Sequence, residues 1–366
     1  MLGKTEAAGS AAGASHLPGA APRRRRRHPL IEYTLRRLGL MALLALGITI
    51  ITFVLANIIP IDPVVANLGE RAAANPEVVA AYRARYGLDQ PLIVQYVIYL
   101  GNLLRGDFGM SQQTGRPVLA DLLAFAPATL ELVIGAIVFS LLVGVTLGTA
   151  AALRRGGAPD HAARFVSLIG VSTPIFWLGI VASYVFFAQL HLLPSGGRVS
   201  PTMPRISGGT GFLVLDSILA GNPAILGDVL QHLVLPATVL GASTLGLIVR
   251  FTRTSVLEVS GNDYVRSAKA KGLAPRSVVG RYILRGAAGP ILTVTGVAFG
   301  GLLAGTVLVE TVFNWPGLGQ YAFRAASTAD LSAIMGVTLF VSLSYIIINF
   351  IVDLLYMVID PRVRLT

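Results

Sequence analysis

The chain has 366 residues, of which 54% are hydrophobic and only 13% charged, with a formal net charge of +11 and no cysteine. Soluble domains carry about 25% charged residues, so this composition is that of a membrane protein. The lack of cysteine excludes a disulfide framework, a thiol nucleophile and a thiolate-bound metal. The five histidines (His16, His28, His161, His191 and His232) are too scattered for a metal cluster to be expected.

Residues 1–30 are rich in Ala, Gly and Ser and carry the run Arg23-Arg24-Arg25-Arg26-Arg27. They read as a disordered basic tail. The run is read as an orientation signal, with attraction to anionic membrane lipids as the alternative. Residues 31–60 form the first predicted transmembrane helix, because the apolar run from Leu38 to Pro60 is too long for a signal peptide and lacks a cleavage site.

A span needs about 20 apolar residues. Six stretches qualify, near 38–60, 129–153, 165–190, 233–250, 290–311 and 335–358. With the N-terminus inside, 21 of the 29 Lys and Arg residues fall on inner segments, as the positive-inside rule requires. Both termini, including the short tail 361–366, are therefore expected in the cytoplasm. The charge serves topology, and no nucleic-acid partner is expected.

Between the first two spans, residues 61–127 form a polar outer segment. It has a helical stretch near 76–105, then Gly106-Asp107-Phe108-Gly109, with Pro127 at the entry to span two. The third span contains Ser172-Thr173-Pro174. A proline there removes a backbone hydrogen bond and kinks the helix; it either lines a pathway or is one of the prolines that transmembrane helices tolerate. The second outer loop, 191–232, includes an apolar patch, 212–220, too short to span and expected against the outer rim.

Span five carries two G-x-x-x-G pairs, Gly296/Gly300 and Gly301/Gly305. Such pairs let helices approach closely, within this chain or against a partner. Glu131 and Glu310 are expected near the outer ends of their spans, open to water, and Asp353 near the inner interface in a structural pairing. Pro174, Trp177, Gly300 and Glu310 are the candidate pathway or gate residues. No P-loop, H-E-x-x-H or G-x-S-x-G occurs, so no catalytic residues are assigned and the chain is not expected to be an enzyme.

The inner segment 250–289 is far longer than its counterpart at 154–164. Its stretch YVRSAKAKGLAPRSVVGRYIL (264–284) holds Arg266, Lys269, Lys271, Arg276 and Arg281 and no acid. Two short helices are predicted. Asp263 caps the first, Lys269 and Lys271 close it, and Gly272 is its C′ residue. Pro275 opens the second. The first helix is expected to present Tyr264, Ala268 and a basic rim. Lying on anionic headgroups is one alternative, and a long positive-inside signal is another. The alanines suit close docking on a protein better than insertion into lipid.

These residues resemble a known family. Arg266-Ser267-Ala268-Lys269-Ala270-Lys271-Gly272, followed by Gly289-Pro290, resembles the EAA loop of ABC importer permeases. From about residue 31 to Arg364 the chain resembles a B-type permease of the dipeptide/oligopeptide/nickel class. The ordered signatures are Tyr86-Gly87-Leu88-Asp89-Gln90-Pro91, Gly106-Asp107-Phe108-Gly109, Pro127-Ala128-Thr129-Leu130-Glu131-Leu132, Thr173-Pro174-Ile175-Phe176-Trp177-Leu178-Gly179 and Asp263-Tyr264-Val265-Arg266. After them come Glu310-Thr311-Val312-Phe313-Asn314-Trp315-Pro316-Gly317-Leu318-Gly319 and Asp353-Leu354-Leu355-Tyr356 with Asp360-Pro361-Arg362. Arg266 departs from the acid usual at its place, and Gly289 from the usual hydrophobic residue.

The resemblance implies an all-α integral membrane protein of the type I importer kind, with six transmembrane helices and a five-helix core at 128–360. It implies that Asp263, Tyr264, Arg266, Ala268, Lys269, Lys271, Gly272 and Pro275 form the loop coupled to an ATPase. The implied partners are a homologous second permease, two ABC ATPase subunits and an extracytoplasmic solute-binding protein meeting the segment 61–127. ATP and Mg belong to the ATPases, with no cofactor in this chain. The implied location is the bacterial cytoplasmic membrane and the implied cargo is peptide, with nickel, glutathione or another small solute as alternatives. A stand-alone channel or secondary transporter is the reading from another class. The long loop and the lack of a charged relay argue against it.

Overall fold

The computed structural model describes residues 29–58, 64, 73–204, 206 and 209–359. The basic tail 1–28, most of 59–72 and the C-terminal 360–366, with Asp360-Pro361-Arg362, lie outside the described residues. Among the described residues the regular structure is helical, apart from one isolated bridge between Met110 and Pro117.

The described residues begin with α1 (Pro29–Ile58), followed by the short helices α2 (Pro76–Tyr86) and α3 (Leu92–Leu104). Helix α4 (Val118–Leu153) leads to α5 (Ala158–Ser172) and α6 (Ile175–Ser183), which a π-helical turn extends to Gln189. Next come α7 (Leu213–Leu219), α8 (Pro223–Ser260) and α9 (Asp263–Ala270). A turn of helix at Pro275–Ser277 and a π-helical stretch, Val278–Ile283, enter α10 (Leu284–Val312), and α11 (Leu318–Ser327) and α12 (Leu331–Ile359) complete the described residues.

Five of these are long and apolar enough to cross a membrane: Thr34–Ile58, Val118–Leu153, Pro223–Ser260, Pro275–Val312 and Leu331–Leu355. The pair Ala158–Gly170 and Ile175–Gln189 makes a sixth if counted as one span. The third predicted span is thus not one kinked helix but two helices meeting at 105°, the geometry of a broken span or of a re-entrant loop. Pro174 explains the break. It has no N–H to donate, and it holds Thr173 extended, at φ −93° and ψ 125°.

The core lies where α4, α8 and α10 meet, around Leu132, Leu240, Phe299 and Leu302. Small residues set the closest approaches. A Cβ at Gly170 would sit 2.7 Å from the Ala242 carbonyl oxygen, and one at Gly246 would sit 2.9 Å from the Cα of Ser167, so α5 and α8 cross almost backbone to backbone. Ser140 Oγ, buried on α4, donates to the Gly241 carbonyl at 2.8 Å. Helices α4 and α8 run well beyond the predicted spans, and Pro127 lies inside α4 rather than at its entry.

Helix α1 stands at the edge. It leans on α12, where Arg37 pairs with Asp353 at 2.6 Å, the structural pairing expected of that carboxylate. It also meets α3: Thr49 Oγ1 lies 2.9 Å from Tyr96 Oη, and Phe53 packs 5.5 Å from the rings of Tyr96 and Tyr99. Its outward leucines, Leu43, Leu44 and Leu55 among them, are exposed. That face is apolar without a covering element among the described residues, as a lipid-facing or subunit-facing helix requires.

Candidate functional site: the basic loop and the opposite rim

The basic loop follows directly on α8. Asn262 is the extended N-cap of α9, so Asp263 is the first helical residue and not the cap. Asp263 still places a negative charge where the helix dipole favours it, and its exposed carboxylate is paired with Arg266. The end of α9 is a Schellman motif. Gly272 N–H donates to the Lys269 carbonyl at 3.0 Å and Leu273 N–H to the Ala268 carbonyl at 3.4 Å. Gly272 adopts φ +73° with open space where a Cβ would stand, so its conformation, not crowding, requires glycine. Pro275 opens the next turn at a first-turn position, as predicted.

Two residues fix α9 to the chain's own core. Val265 is 0% and Ala268 3% exposed, packed with Val256, Val278, Ile283 and Ala287. The predicted presentation of Ala268 to a partner is therefore corrected: three-residue spacing puts Val265 and Ala268 on one helix face, and that face turns inward. Outward point Tyr264, Arg266, Ser267, Lys269, Ala270 and Lys271. A Cβ at Gly286 would lie 2.5 Å from the Tyr264 hydroxyl, so this glycine makes room for the ring.

The opposite end of the bundle is organised by two carboxylates. Glu310 is fully buried, not open to water as expected. Its Oε1 accepts from Thr129 Oγ1 at 2.6 Å and its Oε2 from Gln320 N–H at 2.8 Å. Thr129 Oγ1 in turn accepts from Leu318 N–H at 2.7 Å, and Trp315 Nε1 donates to the Ala128 carbonyl at 2.9 Å. The connector after α10 is thereby clipped onto α4. Gly317 serves this closely, since a Cβ there would lie 2.5 Å from Thr129 Oγ1. Glu131 is also buried: Arg198 Nη2 donates to its Oε2 at 2.6 Å, and Val214 N–H donates to Oε1 at 2.7 Å. The second predicted outer loop is thus tied to α4, and its apolar patch forms α7 against the rim.

The same end carries the turn Gly106-Asp107-Phe108-Gly109. Asp107 pairs with Arg85 of α2 at 2.7 Å and accepts from Gly109 N–H at 3.0 Å. Ser111 Oγ donates to Asp330 at 2.7 Å, joining the turn to the start of α12. A cleft of about 280 Å³ opens between α1, α2, α3 and α12, with Tyr82, Tyr86, Tyr99 and the Arg85–Asp107 pair on its walls. Burial pushes the phenols of Tyr82 and Tyr99 up from their ordinary pKa, which keeps them neutral.

The four candidate gate residues are not brought together. Pro174 forms the break before α6, and Trp177 is 52% exposed on that helix. Gly300 packs against α12, its Cβ position 2.5 Å from the Tyr345 ring. Glu310 is locked in the rim. Sequence reasoning missed Thr129, Arg198, Trp315 and Asp330 as partners. The signal for the first and third was present, since both lie in the quoted signatures, but nothing in one sequence says that those signatures touch.

Residues 30–133 match the family described as "Binding-prot-dependent transport system membrane comp, N-term", and residues 144–365 match "Binding-protein-dependent transport system inner membrane component". The chain belongs to this family of membrane transport components. The permease is 43% identical over 323 residues to the probable D,D-dipeptide transport system permease protein DdpB of Escherichia coli (strain K12), covering 88% of this chain and 94% of that protein. It is 42% identical over 335 residues to the di/tripeptide transport system permease protein DppB of Pseudomonas aeruginosa (strain UCBPP-PA14), covering 92% and 99%. Among solved structures, a chain of the MetNI methionine ABC transporter in inward-facing conformations is similar at a TM-score of 0.45 and 16% identity, over 64% of this chain and 93% of that one. The permease is a multi-pass inner-membrane protein, and its resemblance to a dipeptide-type permease holds across the matched length.

Proposed function

We propose that this permease is the membrane-spanning subunit of an ATP-driven importer of di- or oligopeptides. It takes peptide from an extracytoplasmic binding protein and works with a homologous second permease and two ATPase subunits, which hold the ATP and Mg. Peptide is favoured over nickel or glutathione because the relatives at about 40% identity are named for dipeptides and tripeptides. Both termini and the loop at 250–289 face the cytoplasm on this reading, and the segment 61–127 meets the binding protein.

One observation carries the coupling assignment: α9 is a short helix capped at its C-terminus and fixed by Val265 and Ala268 on the inside, with Arg266, Lys269 and Lys271 left outside. It is attached to α8 and, through Pro275–Ile283, to α10. A push on α9 therefore reaches two of the three helices that form the core. ATP-driven closure of the ATPases would move this element between two positions, and the pathway between the permeases would change side.

The test is ATP-dependent peptide uptake by proteoliposomes holding all the partners. Gly272→Pro and the pair Lys269→Glu, Lys271→Glu are expected to assemble less tightly with the ATPase and to lose uptake. If both retain wild-type uptake per ATP hydrolysed, α9 is not the coupling element. Uptake driven by an ion gradient with no ATPase present would favour the stand-alone transporter instead.

A further inference from the structure

At the end of the bundle nearer the basic loop, a groove of about 380 Å³ runs between α5 and α8. It is lined by Ala163, Arg164, Leu168, Val249, Arg250 and Arg253, with Ser167 beside them. Its three guanidiniums have one acid among them. Asp160 is fully buried, accepting from Arg253 Nε at 2.8 Å, Arg164 Nη2 at 3.0 Å and Gly156 N–H at 3.0 Å. Arg250, exposed one turn before Arg253, has no carboxylate partner among the described residues. Two further arginines, Arg154 and Arg155, are exposed on the turn into α5. The buried aspartate therefore fixes Arg164 and Arg253 in place, and Arg250 gives the groove its positive excess.

The walls are apolar, and the depth is informative. The apolar stretch of α8 ends at Arg250, which is where a span meets the headgroup layer. Beside the groove on α5, Phe165 is 64% and Leu168 66% exposed. A soluble anion has no use for that apolar flank, whereas an acyl chain would gain by lying along it. We propose that this groove binds the phosphate headgroup of an anionic phospholipid. Arg250 is the primary contact, Arg164 and Arg253 the supporting charges, and Leu168 and Val249 the wall for the first acyl segment. Guanidinium is suited to this because its planar donors match phosphate oxygens in pairs. The inference needs only that the chain sits in a membrane, and does not depend on what it transports.

Native mass spectrometry of the assembled complex, delipidated in neutral detergent and then offered single lipids, tests this. Phosphatidylglycerol is expected to be retained and phosphatidylcholine lost. Arg250→Ala is expected to weaken retention about fivefold, the effect of roughly one basic residue at an anionic surface, with Arg250→Gln as a second variant if the first assembles poorly. Arg276→Ala, exposed outside the groove, is expected to leave retention unchanged. Equal retention of the two lipids overturns the proposal, as does an unchanged value in both Arg250 variants. Displacement of the lipid by inorganic phosphate at equal concentration assigns the groove to a free anion and overturns it too. So does the absence of any retained lipid, because a partner subunit then covers the groove.

Discussion

Replacing Glu310 by Ala separates a rim fastener from a pathway carboxylate. In the wild type, the Glu310 carboxylate accepts from Thr129 Oγ1 at 2.6 Å and Gln320 N–H at 2.8 Å, and also from Gly319 N–H. Alanine leaves two backbone donors and a hydroxyl in a fully buried site. An orphaned buried donor costs about 1–3 kcal/mol. Two backbone groups at the middle of that range amount to about 4 kcal/mol, and the hydroxyl, which can rotate, adds little. For a large chain about 2 °C of melting temperature corresponds to each kcal/mol, so a fall of about 8 °C is expected for the purified permease in detergent. Thr129→Val removes the bond to Glu310 and orphans one buried backbone donor, Leu318 N–H, so it should cost about half as much. The double variant should fall short of the sum by more than about 1 kcal/mol, because both changes break one network. A Glu310→Ala protein that melts within a degree of the wild type yet no longer transports would refute this reasoning and restore Glu310 to the pathway.

Gly300→Val should destabilise the permease by about 1–3 kcal/mol through overpacking, since its Cβ would meet the Tyr345 ring at 2.5 Å; Tyr345→Ala should recover most of that loss. Gly301→Val, whose Cβ meets nothing within 4 Å, should leave the melting temperature unchanged, and any loss of assembly with a second permease would mark that face as the contact. On the second outer loop, burial raises the pKa of Asp216, but hydrogen bonds from Thr210 N–H and Oγ1 and from Gly211 N–H outweigh it and hold the carboxyl below its ordinary value. The folded pKa is thus the lower one. Its stabilising share is complete above the unfolded carboxylate value of about 3.9 and is lost as pH falls through the folded value. Limited proteolysis near α7 should accelerate only in that acid range, and Asp216→Asn should remove the dependence.

The architecture was legible because spans are a matter of length and apolarity. Their ends were less so. Helix α8 begins at Pro223, ten residues before the predicted span, because Asn222 caps it by accepting from Ala224 and Ile225 N–H. That is a local signal, which hydropathy averages away. Gly272 was readable for the same local reason: a glycine after a basic last turn predicts a left-handed C′ residue, and it has one. Ala268 was not, because sequence gives the spacing of a helix face but not which way the face turns. Glu310 misled in the opposite direction. A carboxylate at a span end usually meets water, and only the fold brings Thr129 and the 317–320 backbone around it.

The placement of fixed and free charge bears on how such a subunit works. Glu131, Glu310, Asp160 and Asp330 are all buried among donors, and each joins segments far apart in sequence: α4 to the second outer loop, α4 to the α10 connector, α5 to α8, and the first rim turn to α12. Buried carboxylates with their donors satisfied are costly to separate, so these junctions move as units. On α9 and the adjoining end of α8, by contrast, Arg266, Lys269, Lys271 and Arg250 are exposed and none bridges two distant segments by an ion pair among the described residues. Motion imposed at that end therefore cannot be absorbed by the rim junctions. It must pass into rotation of α8 and α10 as rods, or into the sharp break between apolar helices found among the described residues, the extended Thr173-Pro174 between α5 and α6. On the proposed coupling through α9, that break is the position where stiffening is expected to slow transport without loosening the fold, read as lower uptake at an unchanged melting temperature.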